Sequence, residues 1–239
     1  MIKRTGILLL FCATTTLIFG QRETTQNLPK FDHRFMHFGF LIGLNSADFV
    51  LDRNPPTVNG VDSIYRVEPL AAKGFNLGII SAMHLSEHFS LRFTPNLAFT
   101  SRSIDYDVNT FEGIQTYNKQ IESTLINFPL SVKYKSARVN NFSAYILFGA
   151  AYSLDLASNV NAENNATLLK DMIVKIKRDD YMGEIGFGTD FYLEYFKFGI
   201  ELKMSYGIKD LLLHDGTPFT NPIEQLRSKM FLLSFTFEG

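Results

Sequence analysis

The rest of this chain is organised around its last stretch, Met230–Phe237, which reads MFLLSFTF. Successive side chains of a strand point to opposite sides, so three phenylalanines and a leucine share one face, and mostly small or polar groups share the other. This pattern suits the closing strand of a transmembrane β-barrel, whose outer face meets lipid and whose inner face meets a polar lumen. An amphipathic strand in a soluble β-sandwich fits the stretch equally well, so the rest of the chain has to decide.

The opening segment, residues 1–20, has the parts of a secretory signal peptide. Lys3 and Arg4 precede an apolar run, and the small residue Gly20 follows it. The run is too short for a membrane-spanning helix. A lipoprotein acyl site at Cys12 is the alternative, but that cysteine lies inside the apolar run. If cleavage follows Gly20, the mature chain has no cysteine, which excludes disulfides, thiolate metal sites and a cysteine nucleophile.

The composition narrows the class of protein further. The formal net charge is −1, from 23 basic and 24 acidic residues, so we expect no nucleic-acid partner. Aromatic residues are frequent, with 23 Phe and 10 Tyr. After the opening segment, no apolar run reaches the roughly 18 residues of a spanning helix. The choice therefore lies between a secreted soluble all-β protein and a barrel in an outer membrane.

Alternating apolar and polar residues predict eight strands, and the connections between them alternate in length. The predicted strands are Phe38–Asn45, Phe75–Leu85, Phe89–Phe99, Ile121–Lys135, Phe142–Leu154, Glu184–Leu193, Lys197–Tyr206 and Met230–Phe237. Long polar loops are predicted at Ala47–Lys73, Ile104–Lys119, Ala157–Asp180 (with a short helical pattern near Ala166–Ile173) and Gly207–Arg227. Short turns are predicted at Ser86–His88, Ser136–Asn141 and Glu194–Tyr195.

Outer-membrane barrels combine short periplasmic turns with longer extracellular loops, whereas a soluble sandwich has no reason to alternate them. The pattern therefore favours an all-β fold, an eight-stranded antiparallel transmembrane β-barrel over residues 35–239. We expect it to lie in the outer membrane, in contact with lipid. Residues 21–34 are predicted to form a periplasmic lead-in with little fixed structure, which places the N-terminus in the periplasm.

Six charged residues fall on the strand faces opposite the apolar ones: Arg92, Lys133, Glu184, Asp190, Glu201 and Lys203. A charge on the lipid face costs about 2–4 kcal/mol at mid-bilayer, so we expect these side chains to point into the lumen. Eight strands enclose an interior only just wide enough for side chains to fill it. A structural, hydrogen-bonded charge network is therefore favoured over an ion pathway.

The histidines give weak signals for metal or cofactor chemistry. His33 and His37 are four residues apart, a spacing that separates them by about 13 Å along a strand. His84 and His88 flank a short turn, where a surface or lumen histidine is the commoner situation than a ligand pair. We therefore expect no metal and no cofactor.

A catalytic site at the extracellular rim is the third possibility. Its only candidate groups are His214 and Asp215 in the last predicted loop and Ser205 in the strand before it. No nucleophile-bearing motif surrounds them, so we expect the protein not to be an enzyme, and no small-molecule substrate is evident.

Several stretches resemble the PorT/SprT family. They are Asn27–Asp32 followed by His37–Phe40, Leu91–Pro95, Ile121–Thr124, Phe128–Leu130 running to Lys133–Ser136, and Glu184–Gly188 running through Asp190–Phe198. The resemblance spans essentially the whole mature chain. It implies an outer-membrane β-barrel of the Bacteroidetes group that is needed for protein export by type IX secretion and, in gliding species, for motility.

The resemblance also implies other type IX secretion components as partners. The chain would act by contact with a larger translocon or as an assembly factor, through the long loops or the lead-in. The family has no catalytic residues to carry over. A generic structural or adhesive outer-membrane barrel, unrelated to secretion, is the alternative.

Overall fold

A computed structural model describes residues 25–54, 63–110, 113–158, 160 and 172–239. Within these residues the chain forms nine antiparallel strands and one turn of 3-10 helix, Phe31–His33. The strands are β1 Met36–Arg53, β2 Ser63–His84, β3 Phe89–Phe93, β4 Asn96–Thr110, β5 Gly113–Lys135, β6 Phe142–Asp155, β7 Asp179–Tyr192, β8 Lys197–Gly207 and β9 Ile223–Glu238. The predicted signal peptide, residues 1–20, lies outside the described residues.

The nine strands close into a ring of eight. β1 pairs with both β2 and β9, which closes the sheet. β3 and β4 occupy one position in the ring, because both pair with β2 on one side and β5 on the other. The two are separated only by Thr94 and Pro95, and proline has no N–H to donate to the ladder. The predicted eight-stranded antiparallel barrel is confirmed, with its third strand interrupted at this proline.

The short turns and the long connections lie at opposite ends of the barrel, as predicted. Turns of a few residues join β2 to β3, β5 to β6 and β7 to β8 at the end that also holds residues 25–35 and Gly239. We call this the turn end. The connections 156–178 and 208–222 lie at the other end, the loop end. The helical pattern predicted near Ala166–Ile173 falls almost entirely outside the described residues.

The outer surface carries an apolar band. On β1, Phe38, Phe40, Ile42 and Leu44 are 47–61% exposed, whereas Leu41 between them is buried. The same alternation continues around the barrel. Aromatic side chains on neighbouring strands stack on one another, as Phe40 of β1 does on Phe237 of β9. An exposed surface this apolar matches a lipid-facing wall. Among the described residues, no helix is long and apolar enough to cross a membrane.

For two of the predicted long loops, the prediction is wrong over most of the segment. β1 continues to Arg53, β2 begins at Ser63, and β4 and β5 run to Thr110 and from Gly113, so most of Ala47–Lys73 and Ile104–Lys119 is strand. Beyond the apolar band the alternation is inverted. Ile104, Tyr106 and Val108 point inward and are fully buried, while the acidic residues between them face outward.

This inverted part of the barrel, which we call the collar, has an apolar core of its own. Val174 and Ile176 from one connection of the loop end, and Leu211, Leu212 and Phe219 from the other, pack into it. Its buried members are Phe49, Val67, Ile104, Tyr106, Val108, Ile121, Val174, Ile176, Leu211, Leu212, Phe219, Ile223 and Leu226. The barrel therefore has apolar side chains outside in the band and inside in the collar.

Candidate functional site: a lumen filled by paired charges

The structure places all six predicted lumen residues inside the barrel and joins them in three pairs. Each is at most 8% exposed. The paired atoms are Arg92 Nη1 and Glu201 Oε2 at 2.5 Å, Lys133 Nζ and Asp190 Oδ2 at 2.8 Å, and Lys203 Nζ and Glu184 Oε2 at 3.0 Å. Every pair joins two strands, and the first two join strands that are not neighbours, so they cross the lumen. The alternation that turns apolar side chains to the outside turns these charges inward.

Two further charges belong to the same cluster. Glu238 lies just after the predicted last strand. In the structure it is the final residue of β9 and faces inward. Lys197 Nζ lies 2.9 Å from Glu238 Oε2 and 3.7 Å from Asp190 Oδ2, and Arg92 Nη2 lies 3.9 Å from Glu238 Oε1. The period-two pattern from Ser234 through Thr236 would have assigned Glu238 to the lumen if extended by one step.

Neutral groups add hydrogen bonds to some of the charged ones. Tyr145 donates a hydrogen bond of 2.9 Å from its hydroxyl to Glu201, and its ring lies 3.5 Å from Lys133 Nζ. Ser205 donates a hydrogen bond of 3.0 Å to Glu184 Oε1. Buried ion pairs need such additional bonds, because each ion has lost its water. The arrangement stabilises charges of both signs inside a membrane protein.

Toward the loop end, amide side chains line the inner wall, and a cavity beside them is lined by the buried charged residues Arg102, Asp155 and Asp180. Asn45 donates to Asn76 at 2.5 Å, and Asn76 and Asn127 both donate to Asn96, at 3.1 and 3.0 Å. Ser153 donates to Asn127 at 2.7 Å. These bonds follow the inner wall from β1 through β2, β4 and β5 to β6. Ion pairs, a layer that combines amides with further charges, and apolar side chains thus succeed one another along the barrel.

The turn end is covered by the lead-in, which the sequence predicted to have little fixed structure. Phe31 is 3% exposed and stacks on His37 with ring centroids 3.9 Å apart. Asp32 Oδ1 lies 2.5 Å from Lys135 Nζ and accepts a hydrogen bond of 3.0 Å from the Tyr192 hydroxyl. The segment is therefore docked, because its aromatic and acidic side chains both find partners on the barrel.

The charge of Asp32 is stabilised by this docking. Burial raises the pKa of the Asp32 carboxyl, but the hydrogen bond and positive charge of Lys135, with smaller contributions from Tyr192 and Arg138, outweigh it and lower the pKa below its ordinary value. Arg138 also donates to the carbonyl oxygen of Asn27 and lies 3.6 Å from Asp32 Oδ2. Asp32 thus binds the turn end as a carboxylate.

His33 and His37 do not form the pair suggested by their spacing. His33 is exposed and His37 is buried. His37 instead meets His84, with ring centroids 4.6 Å apart and nearly perpendicular planes. Among the described residues, no group of three or more histidine, cysteine or acidic side chains could hold a metal ion.

The three rim groups considered for catalysis each contact different partners. Ser205 lies in the lumen with Glu184, His214 Nε2 lies 3.4 Å from Asp210 Oδ2, and Asp215 accepts hydrogen bonds from two threonines of its own loop. Burial raises the pKa of the Asp210 carboxyl, but hydrogen bonds from the N–H groups of Leu226 and Leu212 outweigh it and hold the pKa below its ordinary value. The structure therefore does not assemble Ser205, His214 and Asp215 into one site.

Solved structures similar to this chain include OprG from Pseudomonas aeruginosa, with 13% identity, 84% of this chain and 95% of that chain covered, and a TM-score of 0.41. Neisserial surface protein A has 15% identity, coverages of 83% and 95%, and a TM-score of 0.39. The outer membrane protease OmpT from Escherichia coli has 10% identity, coverages of 85% and 94%, and a TM-score of 0.36.

No curated protein sequence matches the chain. A family model, described as outer membrane protein beta-barrel domain, matches residues 19–213. The match covers most of the chain, from the end of the opening segment into the last long connection. The chain therefore belongs to the family of outer membrane β-barrel domain proteins.

Proposed function

We propose that this outer-membrane barrel is a non-catalytic component required for protein export by type IX secretion and, where present, for gliding motility. The proposal is supported by the stretches similar to the PorT/SprT family. The longest of them, Glu184–Phe198, comprises most of β7, the turn after it and the start of β8. It supplies Glu184, Asp190 and Lys197 to the charged lumen, so the similarity falls on residues that organise the interior.

The proposed mode of action rests on one observation, the filled lumen. Eight strands leave an interior about as wide as the side chains that fill it, and here paired charges, amides and an apolar core occupy it in turn. No polypeptide cargo fits such a barrel. We infer that the lumen charges form a structural network and not a transport route, and that the protein acts as an accessory or assembly factor through contacts at its ends.

The proposal includes an orientation. Residues 1–20 are removed as a signal peptide, the turn end with its docked lead-in faces the periplasm, and the collar faces outward. Other type IX components would then meet the lead-in on one side or the connections 157–180 and 207–227 on the other. Mass spectrometry of the purified protein should find an N-terminus at Gln21.

A structural or adhesive barrel unrelated to secretion is the second candidate. The collar favours it, because its strands extend past the apolar band with polar side chains outward, such as Asp105, Asp107 and Glu122. A projecting polar surface of this kind suits contact with molecules outside the cell.

A deletion strain separates the two. The extracellular and periplasmic proteomes are compared with and without this gene, alongside a strain complemented in trans. Accumulation of type IX cargo in the periplasm, reversed by complementation, supports the secretion role. Normal export would contradict the secretion role and favour the structural or adhesive barrel.

A variant tests the third possibility, catalysis at the rim. Complementation with His214→Ala should restore export as well as the wild-type gene does. A loss of function in this variant with normal barrel assembly would point to catalysis at the rim.

A further inference from the structure

In the part of the chain that the structure describes, one strand of the collar has an unpaired edge. β5 pairs with β4 from Gly113 to Asn127, but it pairs with β6 only from Leu125 onward, because β6 ends at Asp155. The collar part of β5 therefore has a neighbouring strand on one side only, as far as residues 25–54, 63–110, 113–158, 160 and 172–239 are concerned. Unpaired strand edges are templates for adding a further strand.

The hydrogen bonds at the start of the gap show which backbone groups face it. The Thr124 N–H donates to Asp155 Oδ1 at 3.2 Å, and the Thr124 carbonyl accepts from the Leu156 N–H at 2.8 Å. Backbone direction alternates along a strand, so Glu122, Gln120 and Asn118 turn their N–H and C=O groups to the same edge. Among the described residues, no backbone group pairs with these three.

A groove follows this edge. It has a volume of about 230 Å³, and one wall is the strand segment 118–122. Ala157, Ser158 and the segment Met172–Val174 line the other side, and Ile176 also contributes. Five residues of strand span about 16 Å, enough for a short extended segment to lie beside β5.

The chemistry of the two faces differs. The side chains of Asn118, Gln120 and Glu122 are exposed on the outer face of the collar, with Asp105 and Asp107 on β4 next to them. On the inner side the groove is lined by the apolar side chains of Ile121, Val174 and Ile176 and by two buried residues of opposite charge, Lys119 and Asp155. An added strand would therefore have apolar side chains inward and basic ones outward.

We propose that this groove, the β5-edge groove, binds an extended segment of another protein as an added strand. Main-chain hydrogen bonds to residues 118, 120 and 122 would give affinity, and the alternation of apolar with Lys or Arg side chains would give specificity. The partner class is thus an extended polypeptide with alternating basic and apolar residues. The inference concerns the collar alone and does not depend on the role in type IX secretion.

The test uses the full chain folded in detergent and a fluorescein-labelled peptide, Lys-Val-Lys-Val-Lys-Val-Thr, measured by fluorescence anisotropy. Gln120→Pro removes an edge N–H and obstructs the edge, a place where strands tolerate proline. Gln120→Ala is the matched control, because both variants lose the 2.9 Å hydrogen bond from the Gln120 side chain to Ser101. A peptide with N-methyl groups on the N–H positions that face β5 is the second control.

We expect the plain peptide to bind the wild type and Gln120→Ala alike, and to bind Gln120→Pro at least about tenfold more weakly, since two or more hydrogen bonds are lost. The N-methylated peptide should bind as weakly. Absence of peptide binding, equal binding to Gln120→Pro, or indifference to N-methylation would overturn the proposal. The proposal would also be overturned if the wild type formed a dimer that Gln120→Pro dissociates but the peptide does not. In that case the edge would pair with a second copy of this chain.

A second pair of variants tests the proposal if Gln120→Pro does not fold. Glu122→Lys reverses the charge beside the groove, and Glu194→Lys makes the same charge change in an exposed turn at the opposite end. Peptide affinity should fall severalfold in Glu122→Lys and stay unchanged in Glu194→Lys. Equal affinities in the two would contradict the basic character assigned to the partner.

Discussion

Arg92 shows what the lumen requires of a single charge. Its side chain is 2% exposed and contacts Glu201 at 2.5 Å. Removing one partner of a buried pair leaves the other charge uncompensated, which costs about 3–5 kcal/mol. We predict that Glu201→Gln, which keeps the size of the side chain, lowers the free energy of unfolding by this amount. Urea titration of the barrel in lipid vesicles measures it.

The matched control is the ion pair between Lys209 and Asp179, which lies at the loop end and is about one-third exposed on both sides. Exposed pairs contribute about 0–1 kcal/mol, so Lys209→Ala should leave the free energy of unfolding nearly unchanged. Equal losses in Glu201→Gln and Lys209→Ala would contradict the argument that burial makes the lumen pairs indispensable.

Gly39 tests the closure of the barrel at a single position. A Cβ atom at this residue of β1 would lie 2.2 Å from the carbonyl oxygen of Phe237 on β9. The two strands would have to separate, so Gly39→Ala should cost about 1–3 kcal/mol, the usual range for overpacking. Gly183→Ala is the control, because nothing lies within 4 Å of its Cβ position. The fraction of folded, heat-modifiable protein on a gel should fall only for Gly39→Ala.

Part of the residue-scale picture could be predicted from the sequence and part could not. The inward positions of Arg92 and Lys133 follow from alternation, because the lipid face excludes charge. Their partners do not follow, since Arg92 and Glu201 lie on strands that meet only across the closed barrel. The lumen position of Glu238 was missed because strand β9 runs one residue further than the last phenylalanine.

At the scale of elements, the lead-in gives the clearest test. Asp32 has a lowered pKa, so its ion pairs stabilise docking above the ordinary pKa of about 4 and are lost as pH falls through the lowered value. The chain has no tryptophan, so Phe31→Trp reports on the lead-in alone. We predict blue-shifted emission at pH 7 that moves to the red only below about pH 4.

Asp32→Asn in the same background should emit at longer wavelength already at pH 7 and lose the titration. In the otherwise native chain, trypsin should cut after Lys30 about tenfold faster in Asp32→Asn, since a hydrogen bond to a charged group contributes about 1.5 kcal/mol. Unchanged cleavage would mean that Asp32 does not hold the segment.

The elements also show why strand ends were misjudged. The end of the outward apolar residues was taken as the end of the strand, but Ile104, Tyr106 and Val108 keep the same period of two with the opposite face buried. The signal was in the sequence, and only its polarity had changed. Docking of the lead-in carried no such signal, because Asp32 finds its partners Lys135 and Tyr192 more than a hundred residues away.

For the whole molecule, a filled lumen predicts the absence of conductance. Ion pairs cross the lumen between strands that are not neighbours, and the collar core packs side chains of β1, β2, β4, β5 and β9 against the connections of the loop end. We predict that the purified wild type inserted into a planar lipid bilayer gives no stepwise current at 1 M KCl. A large-pore bacterial porin in the same bilayer serves as the positive control. Reproducible unitary steps from the wild type would contradict the closed lumen.

The apolar core of the collar has a consequence for how the chain reaches its place in the membrane. Phe49 from the first strand and Leu226 from the last belong to one cluster, so the cluster cannot pack before the ring has closed. In the orientation proposed above, its members must cross the bilayer before they have anything to pack against. Once packed, the thirteen buried side chains would have to return to water before any strand could slip back. Assembly is therefore easier to complete than to reverse, and the collar retains the barrel kinetically in its final orientation.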